Sequence, residues 1–179
     1  MWVNAPGVHW NDIFLQLFDR CVSHYRAGNT DLLGYYGEND LSFLRAIGCR
    51  EREFFDFVED FCDDNTPSPG TALLVASVRR DYFLNEQRGV SWNGPQLTRD
   101  DVPSFGDAFE GIAYLPRIIA KARAKLRGAL DPDLMFGCGG DRNFLRKHGN
   151  LHPADFLRIV WAAGEDDSNI ATWVRVQMG

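Results

Sequence analysis

The pattern Asp-x-x-Phe-Leu-Arg-x-x-Gly occurs twice, and no other feature restricts the fold as much. Asp40, Phe43, Leu44, Arg45 and Gly48 recur as Asp141, Phe144, Leu145, Arg146 and Gly149. An aspartate at the head suits an N-cap, because its carboxylate accepts from the unpaired amides of a first helical turn. A glycine at the tail suits the left-handed residue that ends a helix. Each copy therefore reads as a short helix, capped by Asp40 or Asp141. The first is entered through Gly37-Glu38-Asn39 and the second through the loop Gly137-Cys138-Gly139-Gly140. A shift of 101 residues also carries Arg26 onto Arg127, Leu33 onto Leu134 and Phe55 onto Phe156. Such self-similarity is the mark of an ancient duplication or of convergence on one helical plan, and Asp12–Leu84 is expected to superpose on Ala113–Val174.

The flanking stretches carry helical periodicity. Ile13, Phe14, Leu17, Phe18, Cys21, Val22 and Tyr25 form one stripe, closed by Gly28. Helices are expected over 52–63, 71–84, 115–127 and 153–162, with Asp167 capping a last one. Residues 89–107 break all periodicity with Gly89, Gly94, Pro95, Pro103 and Gly106, which marks a connecting segment. No strand alternation is visible. The expected class is all-α: two similar helical units related by a pseudo-two-fold axis and joined by a long loop. The boundaries are 1–88, 89–110 and 111–179, whether as separate repeats or as one compact domain.

The net charge of −6 argues against a general nucleic-acid binder. The cysteines Cys21, Cys49, Cys62 and Cys138 contain no C-x-x-C pair, and two lie in apolar helical patterns, so a reducing cytoplasm is expected. The start Met1-Trp2-Val3-Asn4-Ala5-Pro6 has no signal-peptide character, and no apolar run approaches a membrane span of ~18 residues.

The run Leu115–Gly128, with its Lys-Ala-Arg-Ala-Lys-Leu core, resembles a bacterial family of unknown function, domain-of-unknown-function family 5069. Cys138, Asp141, Phe144-Leu145, Ala154-Asp155-Phe156-Leu157 and Trp173-Val174 extend the resemblance over roughly 103–174. Where members often carry bulkier residues after the cysteine, this chain has Gly139-Gly140. The resemblance implies a small helical fold and no particular activity.

The candidate site is the Cys138 loop. Amides at a helix start between Gly139 and Gly140 suit an anion, with Arg142, Lys121 and Arg117 to hold it. Cys138 and Asp141 are the candidate catalytic groups and His152 the candidate proton carrier. The competing reading is a tight turn with an ordinary helix cap and an unreactive thiol. Cys138, His148 and His152 imitate part of a zinc pattern but lack a fourth ligand, so no metal and no cofactor are expected. The face Arg117, Lys121, Lys125, with Arg123 and Arg127 beside it, reads as a solvated basic face or as a docking surface for an anion or an acidic partner. Tyr35, Tyr36 and Trp161 read as core, or as the lining of a ligand pocket.

Two functional classes remain. The first is a non-catalytic module that binds a ligand or a protein. The alternative is a small enzyme acting on an anionic metabolite at the Cys138 loop. No nucleic-acid or membrane partner is expected, and the chain is a monomer with internal pseudo-symmetry or a homodimer. Because Glu38-Asn39 replaces Gly139-Gly140 in the first copy, the second copy is expected to be the active one.

Overall fold

The computed structural model describes residues 9–32 and 34–178. Leu33, one of the residues used to align the copies, and the start of the chain lie outside them. The described residues form eight helices and one two-stranded hairpin. The chain divides into two compact units, Met1–Gly89 and Val90–Gly179.

The first unit holds α1 (Trp10–Arg26), α2 (Glu38–Ala46), α3 (Glu51–Asp64) and α4 (Pro69–Asn85). The stripe on α1 is buried against α3 and α4, with Phe14, Leu17, Phe18, Cys21 and Val22 inside. Phe54 of α3 meets Phe14 edge to face at 4.9 Å and Phe18 at 5.8 Å, a geometry that the ring quadrupoles favour. Tyr35 is buried and donates its hydroxyl to the Cys21 carbonyl at 2.6 Å. Tyr36 donates to the Glu51 carbonyl at 3.0 Å. The two tyrosines thus pin the loop between α1 and α2 to the core, and their phenols are pushed up, chiefly by burial.

The second unit begins with an irregular strap. Leu97 N–H donates to the Ala129 carbonyl at 2.7 Å, and Asp131 N–H donates to the Leu97 carbonyl at 3.0 Å. The hairpin β1 (Ala108–Phe109) and β2 (Ile112–Ala113) follows. Glu110 and Gly111 turn it with φ of 48° and 79°, as a two-residue hairpin turn requires. Two residues per strand are too few to show alternation, so the hairpin corrects the expectation of helices alone. Then come α5 (Leu115–Arg127), α6 (Gly139–Lys147), α7 (Pro153–Ala163) and α8 (Asp167–Met178). Here α7 packs on both α5 and α8.

Each unit thus runs long helix, short helix, and two more. Gly48 and Gly149 both follow the short helix with positive φ, 66° and 92°. A Cβ at Gly48 would run into the Phe83 side chain of α4, and one at Gly149 into the backbone of Gln177 in α8. The glycines are therefore required twice, for the turn and for the close approach of the unit's last helix.

One detail of the repeat is corrected. The N-caps are Gly37 and Cys138, so Asp40 and Asp141 stand at the third position of their helices. The small residues let each helix start earlier than its aspartate. The carboxylates still meet amides that the helix leaves unpaired: Gly37 N–H donates to Asp40 at 2.9 Å, and Gly137 N–H to Asp141 at 2.8 Å.

Candidate functional site

In the second unit, α5 and α6 meet through charge. Tyr114 precedes α5 in a left-handed conformation, φ 73°, with Pro116 just inside the helix where its missing N–H costs nothing. Two turns further on, Lys121 projects inward. Its Nζ donates to Asp141 Oδ2 at 2.7 Å and to Cys138 Sγ at 3.2 Å. Asp141 Oδ2 also accepts from Gly137 N–H, while Oδ1 accepts from the Tyr114 hydroxyl at 2.9 Å. Lys121 is 1% exposed and Asp141 0%. A buried pair is tolerable only when further hydrogen bonds compensate for lost water, and the carboxylate has them. Burial, then the charge of Asp141, raises the Tyr114 phenol above its ordinary value.

Gly140 makes room for this arrangement, since a Cβ there would lie 2.7 Å from the Tyr114 oxygen. Arg142 braces the loop by donating to the Gly137 carbonyl at 2.8 Å. Lys121, Cys138, Asp141 and Arg142 are thus brought together, with Gly139 at the first turn of α6. His152 is the N-cap of α7, its Nδ1 accepting from Ala154 N–H at 3.2 Å. His148 Nδ1 lies 2.8 Å from the Phe144 carbonyl, and its ring stacks on Phe144. Among the described residues, no group of three or more His, Cys, Asp or Glu could hold a metal ion.

The basic residues of α5 do not make a solvent face. Lys121 and Lys125 are buried. Arg117 donates to the Pro103 carbonyl at 2.7 Å and lies over Phe105 at 4.2 Å, which holds the strap. Arg123 binds the Gly164 carbonyl and Asp167 at the start of α8, both at 2.6 Å, and Arg127 lies over Trp92. The charges on this helix fasten the unit together. Tyr35 and Tyr36 are likewise fastened in the first unit's core, as described above.

The first unit has an ion pair at the same sequence spacing, in the open. Arg20 of α1 pairs with Asp40 of α2, as Lys121 pairs with Asp141 at a shift of 101 residues. Here the side chains are 49% and 20% exposed. Beside the pair lies a cavity of about 590 Å³, lined by Ile13, Gln16, Arg20, Asn39, Asp40 and Phe43 among others. Its remaining lining residues are Leu17, Gly37 and Glu38. The sequence reading did not single out this cavity or Tyr114. The signal was available in the same shift, which carries Ile13 onto Tyr114, Gln16 onto Arg117 and Phe43 onto Phe144.

What fold and site define is a small helical unit whose first helix holds an acidic first turn of its second. Residues 100–179 match the family model described as Domain of unknown function (DUF5069), in agreement with the resemblance of the Leu115–Gly128 run. No curated protein and no solved structure matches the chain.

Proposed function

We propose that the protein is a non-catalytic ligand-binding module, built from two copies of one ancestral helical unit and working in a reducing cytoplasm. The second unit is its scaffold, and the groove between α1 and α2 of the first unit takes the ligand. One observation carries this reading: the cavity of about 590 Å³ between those helices combines an apolar floor with convergent polar groups. Concave sites of this size, mostly apolar with a few polar groups, are where small ligands bind. The side chains of Gln16, Glu38 and Asn39 are exposed in this lining, so the groove offers donors and acceptors to a ligand. Support for the compartment is that all four cysteines are free thiols. No described helix is long and apolar enough to cross a membrane.

A thermal-shift screen of small polar fragments tests this function. Fragments should stabilise the wild type and lose that effect in Arg20→Ala and Gln16→Ala. A screen in which stabilising fragments act equally on all three proteins overturns it.

A second reading keeps chemistry at the Cys138 loop, acting on an anionic metabolite. The contact between Lys121 and the Cys138 sulfur favours it. Against it stand the burial of Lys121 and its engagement by Asp141. His152 points one ring nitrogen at its own helix start.

A further inference from the structure

Resting on the reading of the α1–α2 groove as a binding site, we propose that its ligand is a small molecule carrying a phenolic hydroxyl. The second unit supplies the template. There the corresponding position is taken by the chain's own phenol. The Tyr114 ring lies over Phe144, with centroids 5.7 Å apart and planes at 29°, and its hydroxyl donates to Asp141 Oδ1.

The first unit keeps the ring and the carboxylate that receive that phenol, has Asn39 where Gly140 makes room for it, and lacks the phenol. Phe43 stands for Phe144 and Asp40 for Asp141, and both line the cavity. At the position of Tyr114 the chain has Ile13, with neither ring nor hydroxyl. The backbone differs as well. Tyr114 sits ahead of its helix at φ 73°, whereas α1 starts at Trp10 and holds Ile13 within the helix. Ile13 therefore cannot swing across to α2 as Tyr114 does to α6, and the space stays open among the described residues.

The chemistry of the groove selects the same ligand. Asp40 accepts from Arg20 on Oδ1 and from Gly37 N–H on Oδ2. A carboxylate has about four lone-pair sites, so acceptor capacity remains for a hydroxyl. A hydroxyl bond to an ionised carboxylate is stronger than one between neutral groups. Phe43 adds apolar surface to the groove's lining, with 4% of the residue exposed. Glu38 and Asp40 in the lining disfavour an anion. Asn39 occupies the place of Gly140, so a free phenol enters displaced from the Tyr114 position. A ligand untethered to α1 can make that adjustment.

The test uses para-cresol and toluene, which differ by the hydroxyl, added to the full chain while backbone amide shifts are followed by NMR. Para-cresol should shift the amides of 37–43 saturably and bind about tenfold or more tightly than toluene, the scale of a hydrogen bond to a charged group. Asp40→Asn should erase that preference. Equal binding of the two probes to the wild type overturns the proposal, and that comparison needs no variant. Para-toluate and 4-methylbenzylamine separate the two levels of the claim. If either shifts 37–43 while para-cresol does not, the groove binds ligands of another class. If no probe shifts those amides, the groove itself is not the site.

Discussion

Lys121 and Asp141 lie 20 positions apart and meet at 2.7 Å with almost no exposure to solvent, while Arg20 and Asp40 make the corresponding pair in the open. The two ion pairs thus do different physical work in the two units. In the second unit the pair holds α5 to α6. In the first it borders a cavity.

The energies should divide accordingly. Removing one partner of a buried pair strands a charge and costs ~3–5 kcal/mol, whereas an exposed pair is worth ~0–1 kcal/mol. Asp141→Ala should therefore destabilise far more than Asp40→Ala in urea unfolding. Double-mutant cycles with Lys121→Ala and Arg20→Ala should give a large coupling energy for the first pair and a small one for the second. Similar couplings would mean that burial does not separate the two pairs.

Gly48→Ala and Gly149→Ala should each lower the melting temperature clearly. A left-handed alanine costs ~1 kcal/mol by itself, and the clash with Phe83 or with the Gln177 backbone adds to it. Gly28 is the control. Its φ is 90° but a Cβ there meets nothing within 4 Å, so Gly28→Ala should show the backbone cost alone. Equal losses at all three glycines would leave the helix contacts without energetic weight.

These glycines were legible in the sequence because a helix stop needs only local chemistry. So were the stripe on α1 and the span of α5, since periodicity reports a buried face directly. The place of Lys121 at the Cys138 loop was legible, but its burial was not. A lysine spaced four residues from both Arg117 and Lys125 looks like part of a solvated face, and its burial depends on a carboxylate in another helix. The position of Asp141 inside the first turn was hidden because glycines do not fix where a helix begins. The cavity was hidden because its lining comes from two helices, α1 and α2, and no local pattern states how they pack.

Tyr114→Phe should change the alkaline limb of stability. The phenol holds its proton more tightly in the folded protein than in the unfolded chain. Its contribution is complete below the ordinary tyrosine value of about 10 and is lost as pH rises beyond it. The variant should be less stable at neutral pH by ~1–3 kcal/mol, because Asp141 Oδ1 loses its donor. It should also lose less stability than the wild type between about pH 9 and pH 11. Parallel pH profiles for the two proteins would show that Tyr114 is not held as described.

Gly140→Ala should act through the same hydroxyl. Its new methyl group competes with the Tyr114 oxygen for one space. Combined with Tyr114→Phe, its cost should fall below the sum of the two single variants, since residues in contact are not additive. Strict additivity would deny the contact.

The location of binding is the most direct test of the account. Amide shift maps of the full chain with a stabilising fragment should be recorded for the wild type, Arg20→Ala and Arg142→Ala. Shifts should gather at 37–43, persist in Arg142→Ala and vanish in Arg20→Ala. Shifts gathered at 137–142, surviving Arg20→Ala and lost in Arg142→Ala, would place the site on the Cys138 loop and contradict the account.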